Sequence, residues 1–270
     1  MSGSAEIFRK MLKRRHWLHR PWIPFLKAVE GGAFLEKKLD EPVLDLACGD
    51  GVFTSCVFPG KFEAGFDLFL DDLKKAKAAG THKGLVRASA YDIPFATGHF
   101  GSVISVCAIE HMPELDSVLK ETARVLRPGG RFVFSVPSVF FGGSLLTPTI
   151  YRAFGGQGMA GRYADRKNAR SQHYHVLPVA EWKSRLEAAG MELASYSYVL
   201  DRRIMLLWSF MGSVFFKPLM YPFRMLKSDT LDSVLESALI RLLGPSVVRG
   251  ERPSDDEGGY LIVEAVKKRP

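Results

Sequence analysis

The run Val43-Leu44-Asp45-Leu46-Ala47-Cys48-Gly49-Asp50-Gly51 constrains the fold more than any other part of the sequence. A short apolar stretch carries one acid and then breaks into Gly-x-Gly. Such a pattern reads as a buried strand that delivers main chain to a small ligand. Glycine suits the turn because a Cβ would hold the backbone away from the ligand, and because a positive φ is open to it. A dinucleotide site would want a third glycine for close helix packing, and Thr54 stands there instead. Asp45 would sit poorly beside a pyrophosphate and well beside a positively charged ligand. No Gly-Lys-Ser/Thr follows, so a P-loop is excluded.

The rest of the chain supplies a matching architecture. Residues 43–47 form the first strand, and a second runs from Lys61 to Phe66 and delivers Asp67 at its end. Asp71 to Ala79 reads as a helix stopped by Gly80. Leu85 to Ala88 and the apolar run Val103 to Ala108 are further strands, the latter suited to burial on both faces. A helix from about Glu114 ends at Pro128-Gly129-Gly130, and Arg131 to Val136 follows as a fifth strand. Later come a helix over 178–189 and strands over 192–200 and 259–266. Strands alternating with helices predict a parallel sheet covered on both sides, with ligands beyond the strands' carboxyl ends. About 55 residues separate the last two strands, far more than a hairpin loop needs.

Composition narrows the class. A chain of 270 residues, 47% hydrophobic and 24% charged, has ample material for a core. Three cysteines, Cys48, Cys56 and Cys107, lack metal-binding or disulfide spacing and read as reduced thiols of a cytosolic protein. The N-terminal stretch has no apolar signal segment. Net charge is +8, and the first thirty residues hold Arg9, Lys10, Lys13, Arg14, Arg15, Arg20 and Lys27 among Trp17, Trp22 and Phe25. That mixture fits a helix packing its aromatics on the core, or an anionic membrane surface; nucleic acid is the weakest of the three readings.

Five stretches together resemble the class I S-adenosylmethionine-dependent methyltransferases. They are Val43 to Gly51, Phe66-Asp67-Leu68, Ile93-Pro94-Phe95, Ile109-Glu110-His111, and Arg124 to Arg131. The set is similar to the small-molecule branch that includes quinone-biosynthesis enzymes. The resemblance implies a Rossmann-like α/β fold with a seven-stranded, mostly parallel sheet. It also implies helices on both faces, an antiparallel last strand, and S-adenosyl-L-methionine as cofactor. Helical insertions are expected around 138–175 and 201–258, with 1–40 as a basic and aromatic helical segment and 41–270 as one domain.

By the same resemblance Asp45, Ala47, Cys48, Gly49 and Gly51 line the methionine and ribose side of the cofactor. Asp67, followed by Leu68, accepts the ribose hydroxyls, and Val106 and Cys107 back the ligand. Relatives often place an Asp before the Leu-Pro-Phe stretch to receive the adenine amino group. Here Ser89 and Ala90 stand in register, and Asp92 is an alternative acceptor. Phe100-Gly101 likewise replaces a frequent Phe-Asp, a change that reads as structural.

Methyl transfer needs alignment first, and a base only where the acceptor loses a proton. His111 is the first candidate base, with helix capping or packing over the cofactor as its alternative. His173 and His175 in Ser171-Gln172-His173-Tyr174-His175 are candidate substrate contacts on a closing loop. Two histidines at that spacing suggest a metal, but no third ligand is evident from the sequence, so none is assigned. The motifs that the resemblance links to base or amide-nitrogen methylation are absent.

From Ile204 to Phe223 only Lys217 is charged, while Pro218 and Pro222 interrupt the run. It is too broken for a span and fits an interfacial or re-entrant segment, a substrate lid, a packed cap or a dimer interface. Asp229 to Leu243 reads as an amphipathic helix, with Leu231, Val234, Leu235, Ala238 and Leu242 as its apolar face and Gly244-Pro245 as its stop. The leading expectation is a methyltransferase of a small hydrophobic or lipid-linked acceptor in the cytoplasm, touching the inner membrane face through 1–30 and 204–227. The alternatives are a soluble metabolite or glycan acceptor, and a non-catalytic cofactor-binding protein. Nothing in the sequence sets an oligomeric state.

Overall fold

The computed structural model describes residues 3–213, 216, 218, 220, 221, 225, 228–250 and 257–269. The chain divides into two compact units, one comprising 37–139, 166–197 and 260–270 and the other 1–36, 140–165 and 198–259.

The first of these carries the sheet. Its strands are β1 (Val43–Leu46), β2 (Phe62–Asp67), β3 (His82–Arg87), β4 (Phe100–Val106), β5 (Leu126–Pro137), β6 (Met191–Val199), whose last two residues belong to the other unit, and β7 (Tyr260–Lys267). The order is β3-β2-β1-β4-β5-β7-β6. β1 pairs in parallel with β2 and β4, and β7 runs antiparallel to β5 with Val133 opposite Glu264. The expected seven-stranded, mostly parallel sheet with an antiparallel last strand is therefore present. The strand order reverses between β1 and β4, which places a switch point beside the glycine turn.

Local chemistry explains where strands differ from expectation. β3 begins at His82, three residues earlier than Leu85, because the buried His82 ring is held from β1. β4 ends at Val106 rather than Ala108 because Cys107 adopts φ 49°, which no extended strand continues through. Three helices precede the sheet, α1 (Gly3–Leu12), α2 (Arg15–Leu18) and α3 (Trp22–Leu35), and the glycine turn leads into a short fourth, α4 (Val52–Val57). It is followed by α5 (Leu70–Ala79), α6 (Leu115–Val125), α7 (Leu146–Ala153), α8 (Gln157–Arg170), α9 (Val179–Ala188), α10 (Arg202–Met211) and α11 (Asp229–Gly250). Among these α5 ends as expected on Gly80 in the left-handed conformation.

The second unit gathers the N-terminal helices with α7, most of α8, α10 and α11. α3 is apolar almost all round and correspondingly buried. Phe25 meets Phe8 of α1 edge to face with centroids 6.3 Å apart, and Trp208 of α10 donates its indole N–H to the Trp22 carbonyl. The basic N-terminal segment thus turns several aromatics inward. α11 departs from expectation twice. It continues through Gly244-Pro245 to Gly250, and its buried stripe is Leu235, Leu239, Leu243 and Val247, while Leu231, Val234 and Leu242 are exposed. Packing of its last turn overrides the proline: a Cβ on Gly250 would come 3.0 Å from Val29. Much of 214–227 lies outside the described residues, and no described helix is long and apolar enough to cross a membrane.

Candidate active site

The glycine turn is built by two left-handed glycines with different duties. Gly49 has φ 54° and open space where a Cβ would stand. Gly51 has φ 69°, and a Cβ there would press on Ala76 of α5 at 3.1 Å. Gly51 therefore lets α5 approach, and Gly49 leaves room for a ligand. Ala47 also lies at positive φ, 57°, so the chain leaves β1 through a turn that is strained before it reaches the glycines.

Asp67 at the end of β2 is bound to this turn. Its Oδ2 accepts the Gly49 N–H at 2.9 Å and its Oδ1 the Phe69 N–H at 2.9 Å. These bonds fix the carboxylate while leaving lone pairs for further donors. Leu68 beside it is 55% exposed, an apolar surface available to the face of a flat ring. The Ser89 hydroxyl accepts from Tyr91 N–H at 3.2 Å, so it organises the loop after β3; Ala90 is buried.

Asp45 faces inward. It is 3% exposed, and its Oδ2 accepts the Thr54 hydroxyl at 2.6 Å and a proton from His82 Nε2 at 3.0 Å. Thr81 Oγ1 reaches His82 Nδ1 at 3.0 Å. This buried chain clamps β1, α4 and β3 beneath the turn. Sequence reasoning missed Thr54 and His82. The available signal was Thr54 standing where a dinucleotide site has its third glycine, since a buried hydroxyl in that place must find a partner.

Cys48 is half-buried among the same groups. Burial, followed by the nearby charges of Asp45 and Asp67, pushes its thiol far above the usual cysteine range. Cys107 donates its N–H to the Ser135 carbonyl at 3.0 Å, and with Val106 it ends β4 at the same edge of the sheet. The Ile93-Pro94-Phe95 loop is held by Arg124, which donates to the carbonyls of Ile93 and Phe95 and pairs with Glu121.

Beyond β4 the structure assembles a cluster from two distant segments. Tyr174 N–H donates to the Glu110 carbonyl at 2.8 Å, which lays 173–175 against 110–112. His111 and His173 then stand with ring centroids 5.2 Å apart, and Glu110 joins them as a residue only 1% exposed. His111 Nδ1 donates to the Gln172 carbonyl at 3.1 Å, and its Nε2 lies 3.7 Å from Glu110 Oε1. Burial, then His111 and Lys167, lower the pKa of His173 to about 4. His175 is different: its Nε2 donates to the Met112 carbonyl at 2.9 Å, which makes it a strut of the loop. His111 and His173 are brought together, and His175 is turned to the backbone.

A model of the family described as "Methyltransferase domain" matches residues 44–134. A demethylmenaquinone methyltransferase from Mycolicibacterium vanbaalenii is 30% identical over 176 residues, covering 63% of this chain and 74% of that protein. The chain belongs to the class I S-adenosylmethionine-dependent methyltransferases.

The chain is also 34% identical over 98 residues to a fatty-acid O-methyltransferase from Mycolicibacterium smegmatis, covering 34% of this chain and 36% of that one. It spans about half or less of the length of several other curated relatives. A crystal structure from Thermotoga maritima, a possible histamine N-methyltransferase, superimposes with TM-score 0.57 over 98% of this chain and all of that one, at 15% identity. That likeness speaks to the fold alone. The residues present fit the family's cofactor, S-adenosylmethionine. The open space over Gly49, the oriented Asp67 carboxylate and the exposed Leu68 lie together at the carboxyl ends of β1 and β2.

Proposed function

We propose that this methyltransferase transfers a methyl group to a small hydrophobic or lipid-linked acceptor. One observation carries the reading. The glycine turn with Asp67 and the Glu110–His111–His173 cluster stand at the carboxyl ends of adjacent parallel strands, β1, β2 and β4, where this fold class binds its ligands. S-adenosylmethionine supplies, when bound, a methyl group on a sulfonium ready for in-line displacement. Asp67 would hold the ribose hydroxyls, Gly49 the main-chain side of the ligand, and Leu68 the adenine face, with Ala47, Cys48, Val106 and Cys107 as walls. Asp45 acts through Thr54 and His82 as a positioning residue. His111 and His173 receive the polar end of the acceptor, and His175 keeps their loop in place.

The hydrophobic character of the acceptor draws on the relatives named for a quinone and for fatty acids. It also draws on the apolar, aromatic insertion, where Tyr221 and Met225 are 60% and 63% exposed. Placement at the cytoplasmic face of a membrane belongs to the same proposal, through 1–30 and 204–227. The deciding experiment incubates the protein with methyl-labelled S-adenosylmethionine and separate lipid and aqueous cell extracts. Label is expected in the lipid fraction. Label confined to the aqueous fraction overturns the hydrophobic acceptor, and label in neither overturns transfer.

A further inference from the structure

The cluster beyond β4 has the make-up of a metal site. Glu110, His111 and His173 each offer a ligand atom, and the three atoms lie within 4.8 Å of one another. A tetrahedral set with bonds of about 2.1 Å has donors roughly 3.4 Å apart. His111 Nε2 already lies 3.7 Å from Glu110 Oε1. The other separations do not exceed 4.8 Å, so side-chain rotation must close them to the spacing of a bonded set.

The outer contacts match as well. A metal-bound imidazole typically donates its other ring N–H to an oxygen, which fixes the tautomer and aims the lone pair. Both histidines do so through Nδ1, His111 to the Gln172 carbonyl at 3.1 Å and His173 to the Asn168 amide oxygen at 3.4 Å. A metal would select the neutral ring with its proton on Nδ1 in each case, the tautomer these oxygens favour. Glu110 is anchored through its carbonyl by the amides of Tyr174 and His175, at 2.8 and 3.3 Å. The loop that brings His173 is thus pinned to the residue that supplies the carboxylate. Gln172 adopts φ 54° to turn its carbonyl inward, a conformation that costs energy for a residue with a side chain.

We propose that Glu110, His111 and His173 bind one divalent transition metal ion. Two imidazoles and one carboxylate favour zinc, cobalt, iron or manganese over magnesium and calcium, which prefer all-oxygen sets. Three protein ligands leave at least one position open. An acceptor hydroxyl entering that position would release its proton to water more readily; its oxygen would then take the methyl as the sulfonium C–S bond breaks to leave S-adenosylhomocysteine, and His111 would serve as a ligand rather than as a base. This role makes the acceptor atom oxygen; that part rests on the transfer reading above, whereas the metal site does not.

The test uses the full chain, stripped with chelator and titrated with Co(II), then with Zn(II) in competition. One equivalent should bind, with visible d–d absorption that Zn(II) abolishes. His111→Ala and His173→Ala should each weaken Co(II) binding at least tenfold, and Glu110→Gln likewise. Substitution of the exposed His99 by Ala should leave binding unchanged. Calorimetry with S-adenosylhomocysteine on the same variants checks that the fold and cofactor site persist. Should Glu110→Gln fail that check, the two histidine variants carry the result. Binding of less than about a tenth of an equivalent, or equal binding by wild type and both histidine variants, overturns the proposal. Failure of label transfer with Co(II) binding intact would sink the transfer reading and leave the metal site standing.

Discussion

At the residue scale the two positions that separate ligand binding from stability are Gly49 and Asp67. Gly49→Ala adds a Cβ to open space at φ 54°, so it should cost about 1 kcal/mol of stability from the backbone alone. Its effect on S-adenosylhomocysteine affinity should be larger, at least tenfold by calorimetry. An unchanged affinity would mean that the space is not the cofactor's. Asp67→Ala removes the acceptor of two backbone N–H groups as well as the proposed ribose contact, and should weaken binding by about a hundredfold or more, as removal of a charged hydrogen-bond partner does. Cys48 supplies a chemical check. With its thiol pushed up by burial and by Asp45 and Asp67, it should resist alkylation at pH 8 in the folded protein and react once the chain is denatured. Mass-spectrometric mapping of the modified cysteines reads this directly, and rapid labelling of Cys48 in the folded state would contradict it.

At the element scale, two departures from simple patterns are explained by neighbours distant in sequence. Phe100-Gly101 opens β4 where relatives often have Phe-Asp. A Cβ on Gly101 would come 2.6 Å from the Glu41 carbonyl, beside the backbone of Asp40. Restoring the family residue, Gly101→Asp, should therefore destabilise the protein by about 1–3 kcal/mol, measured by denaturant unfolding. A variant as stable as wild type would show that the loop over 40–41 yields without cost. In α11, Pro245 sits within a continuous helix and is exposed. Helix propensity favours a stop at this point; burial of Val247 and Gly250 in the last turn outweighs it.

At the scale of the whole molecule, the described residues of the insertion include the exposed side chains of Tyr221 and Met225. If the 204–227 segment touches an anionic membrane, the intact protein should float with vesicles containing an anionic lipid at low salt, and less so at high salt. The Tyr221→Asp/Met225→Asp double variant should lose that association, because both side chains are exposed. Equal flotation of the two proteins would assign the contact elsewhere. Sequence periodicity alone reached the alternating strands and helices, because each strand buried on both faces must be apolar along its length. The nine residues from Val43 to Gly51, with Asp67, also marked the turn and its acid as a unit, which the Gly49 N–H to Asp67 bond joins in the fold. Three things depended on tertiary structure. Thr54 and His82 acquire their role only when β3 lies beside β2 and brings His82 to Asp45. The buried stripe of α11 is chosen by what packs on it, and several spacings of leucine were available. Glu110 and His111 meet His173 across about sixty residues of chain only because backbone bonds lay the two loops together, so the cluster had no signature in the sequence.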